Sequence, residues 1–272
     1  MSAGSTQVTL PKPAFAPRFG SALLSRGLVI TWFSIIVMIP LAFLVLKSFD
    51  EGLGAFWDSA TSEQALQALR TTVTLALIVT AINCVMGTLI AWVLVRDEFR
   101  GKALLNSIID LPFALPTIVA GVTLLALYGN DSPIGIDLAY TSVGVSIALL
   151  FITLPFVVRS VQPTLLELDK DMEEAAASLG ASNWTIFRRL IIPSLRPAII
   201  AGAGLAFARA IGEFGSLILI AGQVKIASIV IAARIEQNDA VGAAALSVTL
   251  LLISVVVLLI FGRFAKVKGL PI

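Results

Sequence analysis

Residues 72–95 read TVTLALIVTAINCVMGTLIAWVLV, a stretch that contains no charged side chain. A helix needs about 20 mostly apolar residues to cross the hydrocarbon core of a bilayer, and this stretch supplies them. Five other stretches are similar, and none alternates in the way that a membrane β-barrel strand requires. We therefore predict an all-α membrane protein. Its six expected spans are residues 28–46, 72–95, 104–128, 143–161, 198–221 and 241–264.

The composition excludes several classes of function. Hydrophobic residues make up 58% of the 272-residue chain and charged residues only 13%, whereas soluble domains are about 45–50% apolar and about 25% charged. A net charge of +2 gives no indication of a nucleic-acid partner. The chain has no histidine, which removes the commonest metal ligand and general base. Cys84 is the single cysteine, so an internal disulfide is impossible and packing between helices is the expected role.

The basic residues predict the orientation, because lysine and arginine are enriched in cytoplasmic segments. With both termini in the cytoplasm, 14 of the 19 basic residues fall inside, 4 fall outside and one, Arg209, lies within a span. Residues 1–26 contain three prolines and three basic residues, and we predict a disordered basic cytoplasmic arm followed by a transmembrane domain over 27–272. A signal peptide is the alternative, but the first apolar run begins late and lacks a clear cleavage site.

Residues 162–197, between spans four and five, form the longest cytoplasmic loop of this topology. We expect two short helices, over residues 164–179 and 183–190, separated by Gly180, which suits a helix end. Pro193 and Pro197 are then expected to stop the second helix.

A motif in this loop resembles a known family. Glu174-Ala175-Ala176 is followed after three residues by Gly180, and after nine more by Leu-Ile-Ile-Pro193. This pattern is similar to the EAA motif of binding-protein-dependent ABC importer permeases, with Leu and Ile at the two aliphatic positions. The resemblance implies a type I importer fold in which the loop forms coupling helices that dock on an ATPase subunit.

The chemistry of the loop is consistent with docking to a partner. Small alanines allow close approach, Gly180 offers a hinge, Trp184 and Phe187 offer apolar anchors, and charged groups surround them. The candidate coupling residues are Glu174, Ala175, Ala176, Gly180, Trp184, Phe187, Arg188 and Pro193. The alternative is an amphipathic helix pair on the membrane surface, which the acidic residues between 167 and 174 disfavour because anionic lipid repels them.

No phosphate-binding loop of the form GxxxxGK[ST] occurs in the chain. We therefore expect no ATPase activity and no cofactor in this chain, with ATP and Mg²⁺ bound by separate partner subunits.

Span five combines small residues with two charges. Small residues recur every four positions from residue 198 to 210 and from 204 to 216, a spacing that allows close helix packing and predicts a central place for this span. Arg209 and Glu213 are four apart on one face, and each would cost about 2.5–3.5 kcal/mol near the bilayer centre. We predict that they pair or face a water-filled path, either as a structural clasp or as a gate that offers Arg209 to an anion.

Span three contains a second unusual segment, in which Pro112 and Pro116 are followed by Thr117. Two prolines four apart kink a helix and free carbonyl groups, which is tolerated where protein or a polar cavity satisfies them. We expect these three residues to line or gate the path, with shape alone as the alternative. Asp110 and Asn83 are further polar candidates, although Asp110 is equally consistent with an interfacial position.

Three segments together resemble the sulfate, thiosulfate and molybdate permease group: the EAA-like motif of the loop, the start of span two from Thr72, and residues 114–121. Residues 208–222 are similar to CysT-type sulfate/thiosulfate subunits in particular. The resemblance implies a bacterial inner-membrane complex with a CysW-type permease, two CysA-type ATPases and an extracytoplasmic sulfate-binding protein. A molybdate or tungstate permease and, in another class, a self-sufficient secondary transporter or a membrane-embedded enzyme are the alternatives.

Overall fold

The structure, a computed structural model, describes residues 19–265. Every regular element in this part of the chain is helical, as the apolar runs predict. The chain divides after Leu46 into two compact units, which are described separately. The remainder of the predicted N-terminal arm, residues 1–18, lies outside the described residues.

The first unit is one long helix with a widened turn. α1 (Phe19–Phe33) continues through a π-helical segment, Ser34–Met38, into α2 (Ile39–Ser48). The π segment ends two residues before Pro40, whose ring cannot donate a helical hydrogen bond and crowds the preceding turn. The helix begins at Phe19, nine residues before the expected start of span one, because no proline lies between 19 and 28. Residues 19–26 of the predicted disordered arm are therefore helical.

The second unit contains the remaining helices. They are α3 (Gly52–Thr61), α4 (Glu63–Arg96), α5 (Lys102–Ile108), α6 (Leu111–Ala114), α7 (Thr117–Tyr128), α8 (Ser142–Glu167), α9 (Lys170–Ser178), α10 (Asn183–Ile186), α11 (Ile192–Ile211), α12 (Leu217–Ile220), α13 (Ala227–Glu236) and α14 (Ala240–Ala265).

Five helices among the described residues are long and apolar enough to span a membrane, and a bent pair supplies a sixth. The five are Leu24–Ser48, Glu63–Arg96, Ser142–Glu167, Asn183–Ile211 and Ala240–Ala265. The pair is Lys102–Ala114 with Thr117–Tyr128, which meet at an angle of 113°. The predicted all-α architecture is therefore confirmed, and the number of candidate spans is six when the bent pair counts as one span, broken rather than merely kinked.

The centre of the second unit is the packing of α4, α8 and α11. Val157 of α8 lies between two glycines: a Cβ on Gly87 would lie 2.9 Å from the Val157 Cβ, and one on Gly202 would lie 3.0 Å from the Val157 Cα. The absence of side chains at these two positions is therefore what allows three helices to approach one another. Ala206 and Ala210 continue the buried face of α11, so the predicted central place of span five is confirmed.

Asn83 is a structural link within this bundle. Its side-chain amide donates to the Thr153 Oγ1 at 2.8 Å and to the Leu150 carbonyl at 3.2 Å, and the residue is buried. An amide hydrogen-bonded in this way joins α4 to α8 and satisfies a polar group within the apolar interior.

Hydrogen bonds between separate segments link the helices of the second unit near the N-terminus of α4. The Thr72 hydroxyl accepts from the Ala227 N–H at 2.8 Å. The buried Arg234 donates to the Gly242 carbonyl at 2.8 Å and to the Ser62 hydroxyl at 3.0 Å. These contacts hold the short helix α13 beside the N-terminal parts of α4 and α14.

The expected end of the loop helix at Pro193 and Pro197 is wrong. The helix runs without interruption from Asn183 to Ile211, through a π segment at Phe187–Ile191. This widened turn ends two residues before Pro193, as the first π segment does before Pro40, and it accommodates a ring that an ordinary helical turn would exclude. The other expected loop helix, 164–179, is also divided: its first residues complete α8, and Asp169 caps α9.

Candidate functional site: a coupling loop and two helix breaks

The loop predicted to couple, residues 162–197, is called the coupling loop here, and it turns sharply where α9 ends. Gly180 has a left-handed backbone with φ of +85°. Its N–H donates to the Ala177 carbonyl at 2.9 Å, and the N–H of Ala181 donates to the Ala176 carbonyl at 3.1 Å. These two bonds form a Schellman motif, which satisfies the last carbonyls of the helix and fixes the direction of the next one. The predicted helix end at Gly180 is confirmed.

An aromatic stack connects the residues after this turn to α4. The Phe187 ring meets the Trp92 ring edge-on with centroids 5.7 Å apart, and it stacks against Trp184 at 5.8 Å. Phe187 is half-buried between them, whereas Trp184 is 66% exposed. The two predicted apolar anchors therefore have different environments. Phe187 packs the loop against the bundle, whereas Trp184 is exposed on the outer side.

An ion pair links α4 to α9 beside this stack. Arg96 pairs with Glu173, and its guanidinium lies 5.3 Å from the centroid of the Trp92 ring. Only 14% of the Arg96 side chain and 22% of the Glu173 side chain are exposed, so water screens the pair less than it would screen a surface pair. Arg96 and Glu173 were not among the predicted coupling residues, because sequence spacing cannot bring together residues that lie 77 positions apart.

The outer surface of the coupling loop carries groups with no role inside the second unit. Glu174, Ala175 and Arg188 are exposed, and Leu179 is 89% exposed. A concave pocket of about 620 Å³ lies between α4, α9 and α10, with Glu174 and Trp184 in its lining. Exposed apolar side chains beside charged ones are the pattern of a protein-binding surface.

The first helix break interrupts the third span at its prolines. Leu115 and Pro116 are extended, with ψ of 131° and 133°, and separate α6 from α7. The residue before a proline is driven from helical geometry, and Pro116 has no N–H to continue the ladder. Pro112 sits in the first turn of α6, where a proline costs little, and Thr117 begins α7.

A hydrogen-bond network around Arg159 anchors the first half of this span to α8. The guanidinium donates to both carboxylate oxygens of Asp110, at 2.8 and 2.5 Å. It also donates to the Asn106 side chain at 2.9 Å and to the Gln162 side chain at 2.6 Å. Asp110 therefore forms part of a bidentate ion pair, the strongest class of charge-assisted contact.

The second helix break follows the fifth spanning helix, between Ile211 and Leu217, so the span predicted over residues 198–221 is interrupted. The Arg209 Nη1 lies 2.6 Å from the Glu213 Oε2, so the pairing predicted from their spacing is present. The other carboxylate oxygen, Oε1, accepts from the Ser216 N–H at 2.9 Å and from the Ser216 hydroxyl at 3.0 Å. The Glu213 carbonyl accepts from the Ser228 hydroxyl at 2.7 Å. The Glu213 side chain thus accepts a hydrogen bond from a backbone N–H within the break that contains both residues.

The two breaks touch each other, and we call the contact the break site. A Cβ on Gly121 would lie 2.8 Å from the Ser216 Cα, and one on Gly215 would lie 2.2 Å from the Thr117 Oγ1. Neither position can carry a side chain without movement of its neighbour. Thr117 of the predicted path residues therefore lies beside the segment that contains Glu213.

The sequence-predicted residues fall into two separate groups in the structure. The coupling candidates gather around the loop, apart from Pro193, which lies at the start of α11. Among the path candidates, the structure brings Arg209 and Glu213 together and places Thr117 at the same break site, while Pro112 lies on α6. Ser216 and Ser228 were missed, since nothing in a serine's sequence context marks it as the partner of a buried carboxylate. Within residues 19–265 no group of three or more Cys, Asp or Glu side chains could hold a metal ion.

Comparisons with known proteins agree on one class. The family described as "Binding-protein-dependent transport system inner membrane component" matches residues 83–267. The sulfate transport system permease protein CysT of Synechococcus elongatus is 46% identical over 85% of this chain and 87% of the relative. A probable sulfate transport system permease protein of Chlorokybus atmophyticus is 43% identical over 86% of this chain and 85% of its own. The solved structure of a bacterial ABC transporter that imports alginate has a TM-score of 0.74 at 18% identity, covering 90% of this chain and 96% of that chain, so it shows a shared fold.

Proposed function

Because the chain belongs to the family of binding-protein-dependent transport system inner membrane components, we propose that it forms half of the translocation path of an ATP-driven importer of sulfate or thiosulfate. The fold supports the transport role, and the names of the sulfate transport relatives support the substrate. The energy comes from ATP hydrolysis by a partner subunit.

The observation that carries the coupling role is the two-sided construction of the coupling loop. Glu174, Leu179 and Trp184 are exposed on its outer surface, where a partner can bind. Phe187 and the Arg96–Glu173 ion pair fasten its inner surface to α4. A force applied to the outer groups is therefore passed to a membrane-spanning helix rather than lost in a flexible loop.

The partners and the orientation follow from the same proposal. The coupling loop lies in the cytoplasm, as the excess of basic residues in the segments on that side supports, and both termini are cytoplasmic. Two CysA-type ATPases bind ATP and Mg²⁺ and dock on this chain and on a CysW-type permease. An extracytoplasmic sulfate-binding protein delivers the anion to the opposite side of a bacterial inner membrane.

The break site is the proposed position of the path within this chain. Arg209 is 33% exposed on its side chain, and an arginine in a span faces water or protein because contact with lipid is costly. The partner ATPase subunits make the break site accessible from one side of the membrane and then from the other. ATP binds the closed ATPase dimer better than the open one, and this difference in affinity shifts the population of the membrane subunits.

Sulfate uptake in a strain that lacks this chain tests the function. Uptake is expected to be lost, and to return when the chain is supplied with its partner permease, ATPase and binding protein. Excess molybdate added during the assay identifies the competing substrate class. Strong inhibition of uptake by molybdate, or undiminished sulfate uptake without the chain, would contradict the assignment.

A further inference from the structure

The break site contains a carboxylate that has no freedom to move. Glu213 is 1% exposed, and both of its carboxylate oxygens are occupied, one by Arg209 and the other by Ser216. The Ser216 backbone in turn lies against Gly121 of the neighbouring break, too close to admit a Cβ. Because each of these contacts limits the next, the carboxylate stays beside the guanidinium.

Arg209 occupies a different environment from its partner. Arg209 and Arg196 both lie on α11, and their separation of 13 residues places Arg209 roughly 20 Å further along the helix axis than Arg196. A third of its side chain remains exposed while Glu213 is enclosed. The positive group is therefore the accessible member of the pair, and the negative group lies behind it.

This arrangement limits how strongly an anion can be held. An oxyanion that reaches Arg209 finds a guanidinium already paired with a carboxylate at 2.6 Å, so it approaches a pair with no net charge. Passage through a membrane requires contacts strong enough to admit an ion and weak enough to release it. An unpaired arginine in a region of low dielectric would bind a divalent oxyanion tightly and retain it.

We infer that Glu213 is a positioning residue that acts through Arg209 as a permanent counter-charge, so that the oxyanion is guided but not retained at the break site. The inference rests on the proposed anion import and goes beyond it, because it assigns the weakness of the membrane site to one carboxylate. It also combines two roles that the sequence leaves open, a clasp and a gate, since the same pair performs both.

Glu213→Gln in the assembled transporter tests the inference, with radiolabelled sulfate binding measured in the absence of the binding protein. Gln keeps the side-chain length and an oxygen that can accept from Ser216, but it removes the charge. Sulfate affinity is expected to rise on the order of 10- to 100-fold, because the opposing charge near the anion is gone. Sulfate uptake is expected to fall, because the anion then leaves slowly.

Two control variants separate this effect from damage to the fold. Glu213→Asp keeps the negative charge and is expected to bind sulfate as weakly as the unchanged transporter. Arg209→Gln combined with Glu213→Gln removes the cation as well, and its sulfate binding is expected to return to the unchanged level. Equal sulfate affinity of Glu213→Gln and the unchanged transporter would overturn the inference, while normal sulfate uptake by the unchanged transporter would leave the proposed function intact.

If Glu213→Gln does not accumulate in the membrane, Arg209→Gln provides the test. This change leaves Glu213 as an unpaired negative charge that repels sulfate, so uptake is expected to fall at least tenfold. The double variant removes that charge and is expected to transport more sulfate than Arg209→Gln alone. Equal or lower uptake by a double variant that accumulates normally would contradict the inference.

Discussion

The chain contains two ion pairs that look alike in composition and differ in construction. Arg96 and Glu173 belong to separate helices and meet at the surface of the coupling loop. Arg209 and Glu213 are four residues apart at one helix end, with the carboxylate fully enclosed. A pair between helices can pass movement from one to the other, whereas a pair within one turn can only hold local shape and charge. Under the proposed function, this difference is consistent with force transmission by the coupling loop and a fixed geometry at the break site.

The largest expected effect tests the rigidity of the break site. In Gly121→Val, the added side chain meets the Ser216 backbone, where even a Cβ would lie at 2.8 Å. Movement of the backbone cannot relieve this overpacking, which therefore costs several kcal/mol of folding free energy. We expect almost no folded complex in a mild detergent. Gly204→Ala is the matched control, because its Cβ would lie 3.7 Å from the nearest atom, on Leu258. Equal yields of the two variants on size-exclusion chromatography would show that the breaks adjust freely.

The second prediction concerns the outer surface of the coupling loop. Trp184→Ala removes a mostly exposed ring, so the membrane subunit is expected to keep its thermal stability. If that ring is a hot spot of about 2 kcal/mol, affinity for the ATPase subunit falls about 30-fold. Phe187→Ala serves as the comparison, because this half-buried ring packs against Trp92 and its removal lowers the melting temperature. Loss of stability in Trp184→Ala with unchanged ATPase binding would reverse the assignment of the two rings.

The third prediction tests transmission through the pair between helices. Arg96→Glu places two acids together and is expected to lower uptake about tenfold at normal ATPase binding. Exchanging both charges, Arg96→Glu with Glu173→Arg, restores the attraction and is expected to recover much of the uptake. Glu98→Gln is the control, because this carboxylate is mostly exposed in its pair with Lys102. Similar losses in the single and exchanged variants would argue against a role for the pair in coupling.

The smallest expected effect lies at the turn of the coupling loop. Gly180→Ala places a Cβ in open space, but the left-handed backbone costs a residue with a side chain about 1–2 kcal/mol. We expect local unfolding of the turn to rise about tenfold, measured as faster amide hydrogen exchange at Ala181, with a modest fall in uptake. Gly180→Asn tolerates this backbone better and should exchange more slowly than Gly180→Ala. Unchanged exchange in both variants would mean that the Schellman turn does not control the loop.

Sequence reasoning recovered the features that local chemistry decides. The apolar runs predicted the all-α bundle, and Gly180 marked the end of α9. The prolines of span three indicated a kink there, although not a full break with a bend of 113°, which depends on how the two halves pack. The predicted helix end at Pro193 was wrong because a π segment before the proline accommodates its ring within a continuous helix. Nothing in the local sequence requires that segment.

The features that sequence reasoning missed depend on contacts between distant segments. Arg96 was counted only as a charge that sets orientation, and its pairing with Glu173 depends on where the bundle places α9. The Arg159 network likewise joins residues about 50 positions apart. Arg209 and Glu213, by contrast, share one helical turn, so their spacing alone predicted the pair.

The most direct measurement replaces the single native cysteine and introduces a new one at a chosen position. In a Cys84→Ser chain, Leu179→Cys places one thiol on the outer surface of the coupling loop, and Leu53→Cys places one on α3, which adjoins the opposite end of α4. A short crosslinker applied to membranes that contain the whole transporter is expected to join Cys at 179, and not Cys at 53, to the ATP-hydrolysing subunit. Crosslinking from position 53 but not from 179, or labelling of 179 by an impermeant thiol reagent from outside the cell, would contradict a motor acting through this loop.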